Sequence, residues 1–268
     1  MLPPETNLEL RSRLPARAER KPPLLFVHGG YCDAWCWDPY FLPWFAAHGY
    51  AAHALSLRGH GASGGRETLF VAGVDDYAAD VERVAESLGS PAVLIGHSMG
   101  ASVVEHLLGK LPVRGAALLA PIPPAGLGPV ARRMLALQPE YLVNLQRLDA
   151  PHLAGDVLAA LRPLYFSDDV APAVLAEATF HIGAESPRAI LDLTLRWHDR
   201  RPDTEITPFV LGAEGDRVAT PSDARATAKL YETEATIVPR LAHMMMLERE
   251  WRTVADPLLA WLERETRS

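Results

Sequence analysis

Short, continuous apolar segments alternate with segments of helical length along most of this chain of 268 residues. Continuous apolar runs are typical of strands buried on both faces of a sheet, since a half-solvated strand alternates apolar and polar residues. Strands that alternate with helices predict a doubly wound, mostly parallel α/β sheet. The predicted strands are 24–27, 51–57, 92–95, 116–119, 208–211 and 235–238, with an edge strand within 8–13, and the predicted helices are 37–48, 75–88, 98–110, 222–231 and 248–264.

Residues 122–205 interrupt this alternation, because they contain no strand pattern. Helical segments divided by proline and glycine are predicted there instead, at 127–148, 152–164, 168–181 and 187–200. The strands before and after this region are needed by the same sheet. We therefore predict one α/β core, formed by residues 1–121 and 206–268, with a helical lid inserted at 122–205 over one edge of the sheet.

The composition is that of a globular protein with a sizeable core, since 49% of the residues are hydrophobic and 22% are charged. The formal net charge of −7 is spread along the chain without a basic stripe, so nucleic acid is not an expected partner. Prolines break the most apolar region, 112–131, and no membrane span is predicted. The first residues lack a basic segment followed by an apolar one, which favours a cytoplasmic protein.

The sequence offers no pattern for a metal or an organic cofactor. Its two cysteines, Cys32 and Cys36, have no cysteine or histidine partners at ligand spacing, so we interpret them as core or pocket thiols. No glycine-rich loop fits the dinucleotide pattern. We expect neither a metal nor a cofactor.

A serine lies between two glycines at the point where a predicted strand is followed by a predicted helix. The pentad is Gly96-His97-Ser98-Met99-Gly100. A turn this tight strains the serine backbone and leaves no room for side chains two positions away, which explains the glycines. The turn also holds the serine Oγ out of the sheet, next to helix N–H groups that stabilise developing negative charge. Ser98 is therefore the predicted nucleophile.

An activated serine needs a base, and the base needs a carboxylate that orients it. Functional groups of open α/β sheets lie at the carboxyl ends of the strands, so residues just after strands are candidates. His243 follows the last predicted strand, and Asp216 follows the strand at 208–211. We predict Ser98, Asp216 and His243 as a catalytic triad, with Glu214 as the alternative carboxylate.

An anion hole is predicted next to the serine. The sequence His28-Gly29-Gly30 comes directly after a strand, and a glycine there lets a backbone N–H face the serine. We assign the two donors to the N–H groups of Gly30 and Met99. Three nearby histidines are interpreted as structural: His28 bridges loops, His60 stabilises a turn, and His97 points away from the pocket.

Three residues next to these motifs are predicted to contact substrate. Tyr31 and Trp35 lie close to Gly30 in the sequence, and Met244 follows His243. A few ring side chains of the predicted lid could also reach the site, although a surface position is the simpler interpretation of each: His152, His181, Trp197 and His198.

Over nearly its whole length the chain resembles serine hydrolases of the α/β-hydrolase fold. The matching features are 28–30, 58–63, the pentad 96–100, 212–216 and 242–244, in the order nucleophile, acid, base that this family uses. Two positions depart from the family pattern, since Ser56 stands where an Asp usually precedes the second motif and Ala242 stands where a Gly usually precedes the base. A shorter likeness, over 28–37, is to plant methyl esterases and hydroxynitrile lyases, and it suggests a compact pocket with aromatic walls.

The resemblance implies hydrolysis of a small to medium, mostly apolar carboxylic ester through an acyl-enzyme on Ser98. Thioesterases, lactonases and carbon–carbon bond hydrolases use the same triad and remain alternatives. A ligand receptor that keeps the fold with little turnover is the alternative from another class. The expected partner is a small-molecule ester, and the protein is expected to be a monomer or a homodimer.

Overall fold

The computed structural model describes residues 6–17, 21–195 and 202–265, and these form an α/β fold around one seven-stranded sheet. The strand order is β1-β3-β2-β4-β5-β6-β7; β1 is antiparallel to β3, and the other pairs are parallel. The strands are β1 Leu10–Arg13, β2 Leu24–Val27, β3 Ala52–Leu55, β4 Val93–His97, β5 Gly115–Leu119, β6 Phe209–Ala213 and β7 Ala235–Val238. The predicted strands are confirmed, with ends that differ by one or two residues.

Ten α-helices are present in the described residues. They are α1 Phe41–Ala47, α2 Val74–Ser87, α3 Met99–Leu107, α4 Leu127–Leu137, α5 Tyr141–Gln146, α6 Ala154–Tyr165, α7 Pro172–Ala178, α8 Pro187–Leu195, α9 Pro221–Leu230 and α10 Arg252–Glu265. Two single helices that the sequence predicts are divided in the structure. The segment 37–48 consists of a 3₁₀ turn, Ala34–Trp37, followed by α1. The segment 127–148 ends its first helix at Leu137, because Gln138 precedes Pro139 and takes an extended conformation.

The central strands of the sheet are buried on both faces, which explains their continuous apolar runs. Along β2, Leu24 and Phe26 belong to one apolar cluster, and Leu25 and Val27 belong to the other. The Phe26 face is covered by aromatic side chains, including Trp37, Phe41 and Phe45, with ring centroids 4.9, 6.2 and 5.6 Å from that of Phe26. Helices α1 and α10 contribute to this cluster, whereas α2, α3 and α9 contribute to the opposite one.

Between β5 and β6 the described residues form helices joined by turns and irregular segments, and none of these described residues belongs to a strand. Part of this helical insertion forms a third apolar cluster, which includes Val130, Met134 and Leu161 together with Val218 from the loop after β6. Other parts join the two clusters of the sheet, as Val174 and Leu193 do. The insertion therefore packs on the core as well as on itself. Its boundaries at 122 and 205 and its role as a lid stay predictions.

None of the helices in the described residues has both the length and the apolar content that crossing a bilayer requires.

The turn between β4 and α3 tests how much this fold depends on its glycines. A Cβ atom added to Gly100 would lie 2.4 Å from the carbonyl oxygen of His28 and 2.5 Å from that of Val27. Both contacts are with backbone, which relaxes less easily than a side chain. We expect Gly100→Ala to lower the free energy of unfolding by about 2 kcal/mol or more. Urea unfolding followed by circular dichroism measures this change.

A matched control is Gly155→Ala in α6, where an added Cβ meets no atom within 4 Å. Alanine favours a helix over glycine, so this variant should be more stable by up to about 1 kcal/mol. Equal unfolding midpoints for the two variants would contradict the steric interpretation.

Candidate active site

Ser98 sits in a strained turn between β4 and α3. Its backbone has φ 53° and ψ −119°, which a residue with a side chain rarely adopts. The turn is held by the Ser98 N–H, which donates to the carbonyl of Leu119 at 3.0 Å. At Gly96, an added Cβ would lie 2.3 Å from the carbonyl oxygen of Gly100. The two glycines therefore allow the close packing that keeps this serine in place.

His243 and Asp216 form a buried hydrogen-bonded pair at the carboxyl ends of β7 and β6. The His243 Nδ1 lies 2.8 Å from the Asp216 Oδ2. The other carboxylate oxygen of Asp216 accepts from the backbone N–H groups of Val218 at 2.8 Å and Ala219 at 2.9 Å. The carboxylate is thus fixed on both sides and holds the imidazole by Nδ1. This leaves Nε2 as the ring nitrogen that can exchange a proton.

Ser98 and His243 border the same cavity, which we name the serine cavity and which has a volume of about 130 Å³. The loop after β2 and the end of β4 contribute one side of it. Helices α4, α5 and α8 of the insertion contribute the other, through Met134, Tyr141 and Leu193 among others. The core therefore supplies the predicted triad, and the insertion supplies most of the apolar wall opposite.

Glu214, the alternative carboxylate, does not contact His243. Its side chain is exposed, and its Oε2 accepts from the backbone N–H of Arg240 at 3.3 Å. Of the two carboxylates in this loop, Asp216 is the one that the structure brings to the imidazole.

Residues 29–31, which include the predicted anion-hole donor Gly30 and which we name the oxyanion loop, lie directly against Ser98. A Cβ atom on Gly29 would be 3.1 Å from the Cβ of Ser98, and one on Gly30 would be 3.8 Å from the Sδ of Met99. Gly30 and Met99 both border the serine cavity, and Met99 is the first residue of α3. The two predicted donors are therefore brought together, at the positive end of a helix.

His28 bridges two loops, as the sequence predicts. Its Nε2 accepts from the backbone N–H of Leu57 at 3.0 Å, so its proton resides on Nδ1, which donates to the carbonyl of Gly29 at 2.7 Å. Burial, with the nearby charge of His60, lowers the pKa of His28 to about 4. The neutral imidazole thus makes two hydrogen bonds, which join the loop after β2 to the loop after β3.

The prediction that His97 points away from the pocket is wrong. His97 borders the serine cavity, and its ring centroid lies 4.6 Å from that of His243. Its Nε2 donates to the backbone carbonyl of His243 at 2.9 Å. Burial and the neighbouring His243 lower the pKa of His97 well below its usual value, so the ring is neutral. The pattern of the pentad could not indicate this contact, because it depends on where the loop after β7 lies.

A second cavity, which we name the apolar cavity, adjoins the serine cavity and has a volume of about 60 Å³. Both cavities are bordered by Gly30, Tyr31, Tyr165 and Met244. The apolar cavity extends beneath α6 and is lined mainly by aliphatic side chains. Of the three residues predicted to contact substrate, Tyr31 and Met244 border both cavities, and Trp35 borders the apolar cavity.

The ring side chains predicted within the insertion have different surroundings. His181 borders the apolar cavity, stacks on Trp35 with a centroid distance of 4.6 Å, and lies 2.8 Å from the carboxylate of Asp33. His152 is exposed. Trp197 and His198 lie outside the described residues. Cys32 also borders the apolar cavity, whereas Cys36 is buried in the core.

Glu185 is a buried carboxylate of the insertion that the sequence analysis missed. Its Oε1 accepts from the hydroxyl of Tyr77 at 2.5 Å and from the N–H of Ser186 at 2.7 Å. Its Oε2 lies 3.1 Å from the Nε2 of His60. His60 also keeps its predicted turn contact, since its Nδ1 lies 3.0 Å from the carbonyl of Arg58. Both nitrogens of His60 thus face acceptors, as in a protonated imidazole.

The segment that contains Glu185 also fixes the backbone of Tyr31. The Tyr31 N–H donates to the Glu185 Oε2 at 3.3 Å, and the Tyr31 carbonyl accepts from the N–H of Gly183 at 3.1 Å. Tyr31 has a left-handed φ of 64°, which side chains disfavour. Glu185 and Gly183 of the insertion therefore fix the backbone of the oxyanion loop at Tyr31. Nothing in the local sequence around Glu185 could indicate this role, because its partners lie more than 100 residues away along the chain.

The family assignment follows from the whole sequence together with this fold. The sequence profile of the Alpha/beta hydrolase family matches residues 24–256. The chain belongs to the alpha/beta hydrolase family. The matched range begins at β2 and extends into α10, so it includes the sheet from β2 onward, Ser98, Asp216 and His243.

Individual relatives are distant. A monoacylglycerol lipase from Mycolicibacterium smegmatis is 24% identical over 236 residues, which cover 81% of this chain and 80% of that protein. Among solved structures, a thermophilic esterase from Thermogutta terrifontis gives a TM-score of 0.74 at 20% identity, over 99% of this chain and 96% of the esterase. An enol-lactonase from Burkholderia xenovorans gives 0.72 at 19% identity, over 96% of this chain and 97% of the lactonase. These likenesses show the fold of the family.

The structure also accounts for Ser56, the position at which this chain departs from the family's second motif. The Ser56 hydroxyl donates to the Oε2 of Glu9 at 2.7 Å and accepts from the N–H of Ala34 at 3.0 Å. The same oxygen of Glu9 accepts from the N–H of Ala62 at 2.9 Å. The carboxylate of Glu9, the residue before β1, thus stabilises the loop after β3, where the family usually has an Asp at the position of Ser56.

The pair of Glu185 and His60 predicts a pH-dependent contribution to stability. Burial works to raise the pKa of Glu185, but the charge and hydrogen bond of His60, together with the hydrogen bonds of Tyr77 and Ser186, lower that pKa below 4.5. Burial works to lower the pKa of His60, but the charge and hydrogen bond of Glu185, together with the Arg58 carbonyl and the charge of Asp33, raise that pKa above 6.5. The carboxylate's contribution is present above pH 4.5 and is lost as the pH falls through its lowered pKa. The imidazole's contribution is present below pH 6.5 and is lost as the pH rises through its raised pKa.

We therefore expect Glu185→Gln to lower the free energy of unfolding most between these limits, by about 3 kcal/mol, and less on either side. Urea unfolding of both proteins from pH 4 to pH 9 measures the difference. The control is Glu140→Gln, an exposed site in the same insertion, which should match the unaltered protein throughout. A loss that is constant over the pH range would show that the ion pair is not its cause.

Proposed function

We propose that this protein hydrolyses small to medium, mostly apolar carboxylic esters, with Ser98 as nucleophile, His243 as base and Asp216 as the group that orients the base. The observation that carries the proposal is the strained Ser98 at the wall of a cavity that His243 also borders, with His243 held by a buried carboxylate. The apolar lining of both cavities supports an apolar substrate. The esterase and lipase among the similar proteins support an ester as the bond that is cleaved.

In the first half of the reaction, the Ser98 Oγ attacks the carbonyl carbon of the ester while His243 Nε2 takes the hydroxyl proton. Asp216 holds the imidazole in the required tautomer and stabilises the imidazolium. The N–H groups of Gly30 and Met99 donate to the oxygen that becomes negatively charged. The carbon–oxygen bond to the alcohol then breaks, and His243 returns its proton to the leaving oxygen.

In the second half, a water molecule attacks the acyl-serine carbonyl while His243 takes one of its protons. The bond to the Ser98 Oγ breaks, the serine regains its proton, and the carboxylic acid leaves. The same groups would open a lactone or a thioester. Rates on esters, lactones and thioesters of matched acyl length therefore decide which bond this site prefers.

Ser98→Ala should lower kcat by about a millionfold, since a serine triad without its nucleophile keeps only a small residual activity. Hydrolysis of p-nitrophenyl esters and labelling by a fluorophosphonate probe measure the loss. Ser102→Ala is the matched control, because Ser102 is buried one turn later in α3, and its hydroxyl has no hydrogen-bond partner among the described residues. Ester hydrolysis by the Ser98→Ala protein at the original rate would overturn the proposal.

The two carboxylates of the loop after β6 should differ sharply. Asp216→Asn should lower kcat by about 10⁴-fold, because an amide holds the imidazole in the wrong tautomer. Glu214→Gln should leave kcat within about twofold, as surface substitutions away from a site usually do. Steady-state kinetics on one ester measures both variants. An equal loss in the two would mean that the assignment of the orienting carboxylate is incorrect.

A further inference from the structure

Three tyrosine side chains meet at the boundary between the two cavities, and the proposed reaction uses none of them. This tyrosine cluster consists of Tyr31 from the oxyanion loop, Tyr141 from α5 and Tyr165 from the end of α6. All three border the serine cavity, and Tyr31 and Tyr165 border the apolar cavity as well. Apart from Ser98, His97 and His243, most of the serine cavity is lined by apolar side chains, so these tyrosines bring some of its few other polar groups. Burying a hydroxyl without a full set of hydrogen-bond partners costs free energy, so a ligand that supplies the missing partner would be stabilised in this cavity.

The hydroxyls of Tyr141 and Tyr165 lie 2.7 Å apart and form a hydrogen bond with each other. Two hydroxyls carry two protons, and their mutual bond uses only one of them. In the described part of the chain, neither hydroxyl has another hydrogen-bond partner, and the Tyr31 hydroxyl has none. One O–H of the Tyr141–Tyr165 pair is therefore left to donate to whatever fills the cavity.

The pair stays protonated across the neutral range. Burial is the largest cause that raises the pKa of Tyr165 well above its usual value, and burial also raises that of Tyr141. The spare group is accordingly a neutral donor. An uncharged acceptor oxygen suits such a donor in an apolar cavity, since it brings no charge that would have to be desolvated.

Contacts of Tyr165 indicate which part of an ester would meet this donor. Its ring lies edge-on to the imidazole of His243, with the centroids 5.6 Å apart. Its backbone carbonyl accepts from the N–H of Met244 at 2.9 Å, which ties the end of α6 to the loop that carries the histidine. In the proposed reaction His243 returns its proton to the alcohol oxygen. The alcohol oxygen of the ester must therefore lie next to His243, whose ring is also in contact with Tyr165.

We propose that the paired hydroxyls of Tyr141 and Tyr165 form a subsite that donates a hydrogen bond to a second oxygen in the alcohol part of the ester. The preferred substrate is then an ester of an oxygenated alcohol, with an ether or hydroxyl oxygen a few bonds from the cleaved bond. This inference rests on the proposed ester hydrolysis by Ser98. It adds the chemical class of the alcohol, which that proposal does not specify.

Three esters of nearly equal shape test the subsite. Butyl butanoate is the reference, 2-methoxyethyl butanoate replaces one CH₂ of the alcohol by oxygen, and butyl methoxyacetate replaces one CH₂ of the acid by oxygen. The ratio of kcat/KM for each oxygen ester to that of the reference is measured in the unaltered protein, Tyr141→Phe and Tyr165→Phe. Comparing each ratio between proteins cancels the intrinsic reactivity of the esters. The control is Tyr40→Phe, since Tyr40 stacks on Trp251 and borders neither cavity.

We expect the ratio for the 2-methoxyethyl ester to fall by about three- to tenfold in at least one of the two cavity variants, the one that removes the donating hydroxyl, which is the range that one hydrogen bond between uncharged groups supplies. It should not change in Tyr40→Phe, and the methoxyacetate ratio should not change in any variant. Equal 2-methoxyethyl ratios in all four proteins would overturn the subsite. A fall that occurs only with the methoxyacetate ester would overturn its assignment to the alcohol part.

Failure of the proposed function looks different from failure of the subsite. If the serine is not labelled by a fluorophosphonate and no ester is hydrolysed, the proposed reaction is wrong, and the subsite is rejected with it. If Ser98 is labelled, all three esters are hydrolysed, and the kcat/KM ratios are the same in the unaltered protein and in both tyrosine variants, only the subsite is rejected. Circular dichroism of each Phe variant checks that the fold is retained.

Discussion

The close packing of the β4–α3 turn against the loop after β2 is the constraint on which the rest of the site depends. At Gly100 the helix backbone meets the carbonyls of Val27 and His28 so closely that even a methyl group does not fit. Ser98 consequently adopts a left-handed backbone conformation and lies beside the oxyanion loop. One steric contact therefore brings a hydroxyl and the N–H groups of a helix start to the same edge of the sheet.

The helical insertion is part of this arrangement and not only a cover over it. Glu185 and Gly183 bind the N–H and the carbonyl of Tyr31, and Glu185 also binds His60 and Tyr77 of the core. A buried carboxylate is stable there because an imidazolium and several donors compensate for its lost hydration. The position of the oxyanion loop is thus set jointly by the core and by a segment far away in sequence.

Much of the fold and the candidate triad could be predicted from local pattern. Continuous apolar runs identify strands such as β2 and β5, because burial on both faces removes the polar alternation. The pattern around Ser98 is equally local, because Gly96 and Gly100 lie within five residues and a side chain on Gly96 would collide with the backbone of Gly100. The direction of the His97 side chain could not be predicted in this way, because its hydrogen-bond partner, the carbonyl of His243, lies in another loop. Glu185, Tyr141 and Tyr165 could not be recognised at all, since isolated charged and aromatic residues in helical segments carry no pattern.

The sequence by itself determined the doubly wound sheet, the strained serine turn and the order of nucleophile, carboxylate and imidazole along the chain. Each of these follows from spacing within a few residues or from the rule that strand ends meet at one edge of a sheet. Only the tertiary structure decided that Asp216 and not Glu214 reaches His243, that Glu185 holds Tyr31, and that two tyrosine hydroxyls pair beside the imidazole. These contacts join residues distant along the chain, and packing selects them after the elements have formed.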